Sequence, residues 1–377
     1  MKKKYQRCTK TVLDSTADPD ITFDEKGISN YYYEFIKKLA IRIPVEEEGK
    51  VQLTKLVDKI KKDGKGKKYD CLIGVSGGVD STYTAWLVRD LGLRPLAVHL
   101  DNGWNSELAV KNIEKTLKNL EIDLYTEILD WDVFKDLQIS FLKGSTPDGE
   151  IPTDHAILAT MYKQAAKFGI KYIISGMNFR NEGFLPPTWG RGYLDWRYIN
   201  GVHKEFGNKS LSSFPRLNFF KFLYLNLFKG IRSISFINYI NFNKEEAMNL
   251  IEKKLGWEYY GGKHYESIYT RFYQAYILPR KFGIDKRKAH LSCLIMSTGE
   301  ISREEAIEIL EKPIADENLL QNDKEYVIKK LGLSLYEFDE IMSLPIKSIN
   351  DYPNMYYTEM QFRRYLNYLR RLKIMPN

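Results

Sequence analysis

Apolar and polar positions alternate in blocks through the first half of the chain. Residues 71–75 form an apolar run between Asp70 and Ser76, the pattern of a buried parallel strand. Residues 80–91 place Tyr83, Trp86 and Leu87 on one helical face. Residues 95–99 read as a second strand. Residues 106–120 read as a helix carrying Leu108, Val110, Ile113, Leu117 and Leu120. A third strand is expected at 123–128, helices at 131–142 and 153–168, and a fourth strand at 171–175. Alternating strands and helices imply an α/β fold, a Rossmann-like parallel sheet with helices on both faces.

Upstream, residues 5–25 are irregular, with Ile21 and Phe23 as a short alternating strand. Helices are expected at 30–41 and 46–62, and a basic, glycine-containing linker at 63–68 ends a small N-terminal subdomain, 1–66. The α/β domain would cover 67–207 and a mainly helical region 208–377. Within the last, residues 216–242 are aromatic and basic. They read as core or a subunit interface, with a membrane-surface segment as the alternative. Further helices are expected at 244–255, 303–310, 323–331, 335–343 and 360–372.

Charge narrows the ligand. A net +8 and a pI near 9.0 favour an anionic partner: a nucleotide sugar, nucleic acid or an anionic membrane surface. Three cysteines, Cys8, Cys71 and Cys293, are odd in number and far apart, which suggests a reducing, cytoplasmic setting. Met1 to Tyr5 is basic without a following apolar stretch, so no signal peptide is expected. The most apolar later segment, Phe219 to Phe228, is interrupted by Lys221 and Asn226, so no transmembrane segment is expected.

The candidate chemistry starts after the first strand. Ser76-Gly77-Gly78-Val79-Asp80-Ser81 joins strand to helix. Glycines let the backbone approach an anion, and the free N–H groups of a helix's first turn favour phosphate. Ser76 and Ser81 add hydroxyls; Asp80 suits a magnesium ion or a brace for the turn. No lysine follows the second glycine, so the string is not a Walker A loop. Ligands of parallel sheets sit beyond the carboxyl ends of strands. That rule nominates His99, Asp101 and Asn102 after the second strand, and Gly176 and Asn178 after the fourth. His99 serves equally as a satisfied core residue, and Asp101-Asn102 as a plain Asn-Gly turn. Thr153-Asp154-His155 reads as a helix cap with an acid in the first turn; a substrate role for Asp154 stays open. Arg271, Lys281, Lys286, Arg287 and His290 form a cation-rich run.

The hexapeptide is the signature of the PP-loop ATP pyrophosphatases, with an adenine-nucleotide alpha-hydrolase-like fold. With Asp18-Pro19-Asp20-Ile21, Asp101-Asn102-Gly103-Trp104, Gly262-Lys263-His264-Tyr265-Glu266-Ser267 and Lys281 to Arg287, the chain resembles the N-acetyl sugar amidotransferases of surface-polysaccharide and flagellin-sugar biosynthesis. The resemblance implies an ATP- and Mg²⁺-dependent enzyme that turns an acetamido group of a UDP- or CMP-linked sugar into an acetamidino group through an adenylylated intermediate. Residues 67–207 would then be the ATP-binding domain. Ser76, Gly77, Gly78, Val79, Asp80 and Ser81 would hold ATP phosphates, with Asp80 on Mg²⁺. Lys281 and Lys286 would act at the α-phosphate; Asp154, Asn178, Arg271, Arg287 and His290 would face the sugar nucleotide. No glutaminase triad is evident, which implies ammonia from a separate HisH-like glutaminase, with or without a HisF-like subunit. Similar proteins carry paired N-terminal cysteines that suggest a zinc knuckle. Here Thr11, Ser29 and Tyr32 accompany Cys8, so no zinc is expected. A tRNA-modifying PP-loop enzyme, by thiolation or lysidine-type chemistry, is the alternative, and a nucleotide-binding subunit without turnover a third; no nucleic acid partner is expected on the main reading.

Overall fold

The computed structural model describes residues 4–371. The signal-peptide expectation rests partly on residues 1–3, and the expected last helical residue is Leu372; these lie outside the described residues.

Five parallel strands make one sheet: β1 (Cys71–Gly74), β2 (Pro95–Asp101), β3 (Asp123–Ile128), β4 (Tyr172–Ile174) and β5 (Arg232–Ile234), in the order β3-β2-β1-β4-β5. Register runs Cys71 opposite Pro95 and Ile73 opposite Ile174. Side chains of a strand alternate between faces. Cys71 and Ile73 therefore pack with Leu53, Val57, Ala85, Val88 and Ile113, from α2 (Glu46–Asp63), α3 (Val79–Asp90) and α4 (Glu107–Asn119). Leu72 packs on the other face with Ala159, Tyr162 and Leu225, from α6 (Ile151–Lys167) and α9 (Phe219–Leu227). Helices thus cover both faces. Sequence order reverses between β1 and β4, which opens a crevice at the end of β1.

Two expectations about this region change. The fifth strand falls past the boundary expected at 207: Arg232-Ser233-Ile234 pairs with Tyr172-Ile173-Ile174 and extends the sheet. The helix expected from Thr153 begins at Ile151 with Glu150 as its cap, because Pro152 is tolerated in a first helical turn. Thr153 is therefore inside the helix and caps nothing.

The largest core joins α5 (Trp131–Gly144) and α8 (Trp196–Phe206) to the C-terminal elements. These are α11 (Ile268–Phe272), a π-helical segment Tyr273–Phe282, α12 (Arg287–Ser297), α14 (Glu317–Leu331) and α15 (Leu335–Ser343). Pro279 lies inside the π-helical segment, where its missing N–H would break a regular α-helix. The N-terminal residues Leu13, Ala17, Ile21 and Phe35, the last on α1 (Asn30–Arg42), sink into this same core. The buried Asp14 anchors them to Lys288 at 2.7 Å. Cys8 is buried, and its sulfur accepts the Ser29 N–H at 3.3 Å.

Candidate functional site

The turn after β1 is built around close approaches. Gly77 has φ +80, and a Cβ there would meet the Ala109 carbonyl oxygen at 2.5 Å. Only glycine satisfies both constraints. Gly78 occupies the cap position of α3 with no side-chain cap bond, which leaves the helix start's N–H groups without that partner. Ser76 and Ser81 hydroxyls lie 3.1 Å apart and close the turn. Gly176, just past β4, would place a Cβ 3.1 Å from the Ser81 backbone nitrogen, so the two strand ends meet here. From the C-terminal half, the Trp257 indole N–H donates to the Gly77 carbonyl at 2.8 Å. The Gly262 to Ser267 segment is strapped across the sheet end: Ser106 N–H donates to the Glu266 carbonyl (2.9 Å), and Ile268 N–H to the Trp104 carbonyl (3.0 Å).

Two adjoining cavities result. The smaller, about 350 Å³, is lined by Ser76, Gly78, Val79, Asp80 and Ser81, with Glu182, Lys244, Tyr260, Lys263, His264 and Glu266 opposite. The larger, about 680 Å³, continues from Ser76 and Gly176 across the ends of β1, β2 and β4 to Glu150, Asp154, Lys286 and His290.

Carboxylates dominate the electrostatics. Asp80 Oδ1 and Glu266 Oε2 are buried and have no hydrogen-bond partner among the described residues. Burial first, then the charge of Glu182, pushes the Asp80 carboxyl up to about 6. Burial would also raise Glu182, but Lys263, at 2.9 Å, and the nearby histidines pull it down to about 2. Lys263 Nζ also lies 3.0 Å from His290 Nδ1 and 3.4 Å from its Nε2, and His290 Nδ1 lies 3.2 Å from the Asn181 carbonyl oxygen. Burial, then the Lys263 charge, holds that imidazole neutral. Asp154 opens onto the larger cavity; its backbone N–H donates to the Glu150 carbonyl at 3.0 Å, and its carboxylate has no hydrogen bond or ion pair among the described residues. Asp154 is exposed to the cavity; desolvation by the surrounding atoms, then the charges of Asp148 and Glu150, pushes its carboxyl up to about 8. Glu150 itself accepts from Gln274 at 3.0 Å and lies 3.8 Å from Lys286.

A magnesium ion fits the smaller cavity. Two orphaned carboxylate oxygens suit a hard cation that completes its oxygen shell from phosphate and water. No group of three or more metal-ligating side chains occurs among the described residues, so such an ion would depend on its substrate for ligands.

The nominated residues divide. Ser76, Gly78, Val79, Asp80, Ser81, Gly176, His99, Asn102, Asp154, Lys286 and His290 line one or both cavities. Gly77 supports the turn from behind. His99 is a wall group: its Nδ1–H donates to the Val75 carbonyl at 2.9 Å and its Nε2 accepts from Asn105 at 3.1 Å. Asp101 accepts the Gly103 N–H at 2.9 Å and braces the turn.

Four nominations are corrected. Asn178 is buried away from both cavities and caps α7 (Phe179–Glu182), accepting from the Arg180 N–H at 3.0 Å. Arg271 is held by both oxygens of Asp323 at 2.7 Å each, and lies over the Tyr265 ring. Arg287 grips Asp285 and the carbonyls of Ile309, Leu310 and Lys312, satisfying the end of α13 (Arg303–Glu311). Lys281 donates to the Ile341 carbonyl among Phe141, Tyr273 and Phe338, where burial lowers it to about 8. None of the four lines either cavity. The residues not nominated are Glu150, Glu182, Lys244, Tyr260, Lys263, His264 and Glu266. The signal for four of them was the polar string from Lys263 to Glu266 and its neighbour Tyr260, which has no apolar periodicity to explain it.

Residues 266–367 match the family described as LPS biosynthesis protein WbpG-like, C-terminal domain. An uncharacterized protein of Methanocaldococcus jannaschii is 30% identical over 135 residues, 35% of this chain and 46% of that protein. A glutamine-hydrolyzing GMP synthase of Pyrobaculum aerophilum is 34% identical over 170 residues, 45% of this chain and 31% of that protein. The chain thus spans less than half the length of these curated relatives. Among solved structures, NMN synthetase from Francisella tularensis aligns with a TM-score of 0.36 and 14% identity, over 78% of this chain and 98% of that one. NH3-dependent NAD synthetase from Campylobacter jejuni aligns with a TM-score of 0.29 and 14% identity, over 80% and 97%.

Proposed function

We propose, for a chain that belongs to the PP-loop ATP-pyrophosphatase superfamily and carries a WbpG-like C-terminal domain, an ATP-dependent amidotransferase acting on the acetamido group of a nucleotide-activated sugar. The observation that carries this reading is the pair of joined cavities. One end has the N–H-rich turn and two orphaned carboxylate oxygens; the other has room for a sugar nucleotide and an unpaired carboxylate.

An amide oxygen is a poor leaving group. Its attack on the α-phosphorus of ATP breaks the bond to pyrophosphate and leaves an O-adenylylated imidate. Ammonia adds to that carbon, AMP departs with the original oxygen, and the amidine remains. The chain's own residues place and neutralise. The turn from Ser76 to Ser81 grips the pyrophosphate portion. Asp80 and Glu266 would hold a magnesium ion, which would supply charge neutralisation when bound. Lys244, Lys263 and Lys286 balance charge from the opposite walls. Asp154, whose proton affinity is raised, takes a proton from ammonium beside the imidate.

Ammonia is drawn from a separate HisH-like glutaminase, with a HisF-like subunit as conduit. Thiolation of tRNA is disfavoured: Cys8, Cys71 and Cys293 are all buried, and burial pushes the Cys293 thiol up to about 12. The test supplies the purified chain with ATP, ammonium and UDP-linked or CMP-linked acetamido sugars. AMP formation with a mass loss of about one dalton, the exchange of O for NH, is expected. AMP release equal with and without the sugar, and no mass change, overturns the assignment.

A further inference from the structure

We propose that the outer face of α9 docks the protein on an anionic lipid surface. Apart from Lys221 and Asn226 the helix is apolar. Leu225 is buried against the sheet and Phe219 is buried with its ring at 5.8 Å from that of Phe362, yet Phe220 is 67% exposed and Phe228, at its C-terminal cap, 78% exposed. Tyr224 and Leu227 project on the same side, and the Tyr224 and Phe228 rings stack at 5.7 Å. Exposed large apolar side chains gathered on one face mark an interaction surface.

Charge decides what covers it. From Arg216 to Asn243 the chain has no aspartate or glutamate, but it carries Arg216, Lys221, Lys229 and Arg232. Lys221, Lys229 and Arg232 are exposed around the aromatic knobs. Aromatic side chains ringed by cations suit the boundary between acyl chains and anionic headgroups, where each kind of group finds its partner. No described helix is long and apolar enough to cross a membrane, so the contact lies on the surface. Arg232 N–H donates to the Lys171 carbonyl at 2.8 Å, which places Arg232 at the amino end of β5. The inference does not depend on which amide the cleft uses.

The full chain is mixed with phosphatidylcholine vesicles, and with vesicles containing about one-third phosphatidylglycerol, then sedimented. It should sediment with the anionic vesicles only and be released as salt rises. Phe220→Asp with Phe228→Asp should weaken the partition about tenfold or more. Lys221→Glu with Lys229→Glu should do the same, with an unchanged melting curve and unchanged ATP turnover; this pair decides the matter if the aromatic pair fails to fold. A wild-type chain that stays in the supernatant with anionic vesicles at low salt overturns the proposal. So does equal binding by the charge-reversed pair. A dimer that the aromatic changes convert to monomer, without vesicle binding, assigns the face to a second copy instead.

Discussion

At the residue scale, the two unpaired acids make opposite demands on stability and chemistry. Asp80 has a folded-state pKa near 6, above its value in an unfolded chain. The folded state therefore holds that proton more tightly. Its contribution to stability is complete at low pH and is lost as pH rises from about 4 through about 6. Asp80→Asn should raise stability near neutral pH by about 1 kcal/mol and leave it unchanged near pH 4, read by thermal unfolding. The same change should lower AMP formation by about 10²-fold or more, because the amide cannot hold the cation as a carboxylate does. A neutral-pH melting point that falls, or turnover that survives, contradicts this account. Asp154 makes a kinetic prediction. A base with a pKa near 8 is ionised only as pH climbs through that value. At constant total ammonium, the wild-type rate should rise and level near pH 8. Asp154→Asn should be about 10²-fold slower and should instead follow free ammonia upward. Superimposable profiles would remove Asp154 from the reaction.

At the element scale, the C-terminal helices are locked to one another by the very cations that looked available for phosphate. Arg271 on α11 and Asp323 on α14 are both largely buried and fully paired. Arg271→Ala should cost about 3–5 kcal/mol, since it strands a buried carboxylate. Changing both partners to apolar residues of similar size should recover much of that loss, with the KM for sugar nucleotide little altered in either case. A KM rise without a stability loss would return Arg271 to the substrate. This pairing was not legible in the sequence, because Asp323 lies fifty-two positions away and nothing local marks it. β1, β2 and β4 were legible as apolar runs, because parallel strands buried on both faces need them; β3, a mostly exposed edge strand, was legible from its place between two helical patterns. β5 was not, since Arg232-Ser233-Ile234 is short and mostly exposed. The phosphate turn was legible because the backbone geometry demands small residues there, and Gly77 and Gly176 each stand where a side chain would strike backbone. The opposite wall was legible only as an unexplained polar string. Its roles depend on a strap from Trp104 and Ser106, more than a hundred and fifty positions upstream, that sequence spacing does not reveal.

At the scale of the whole molecule, the question is where nitrogen enters. Cys8, Cys71 and Cys293 are all buried, each in a different part of the fold. A glutaminase of the thiolate type needs an exposed, activated sulfur. The chain should therefore turn over with ammonium and not with glutamine, and iodoacetamide at neutral pH should leave the ammonium-dependent rate unchanged. Adding a separate glutaminase partner should confer glutamine-dependent turnover that iodoacetamide abolishes, by alkylating the partner. The cavities are joined at Ser76, Gly176 and Glu266; on the proposed reaction the nitrogen would have to arrive where the activated oxygen sits, with water kept from the same place. A leaky arrangement would show as AMP released without amidine when the partner is missing and ammonium is low. Glutamine-dependent turnover by the isolated chain, lost on alkylation, would place the ammonia source within this molecule and require one of the buried sulfurs to become exposed during the reaction.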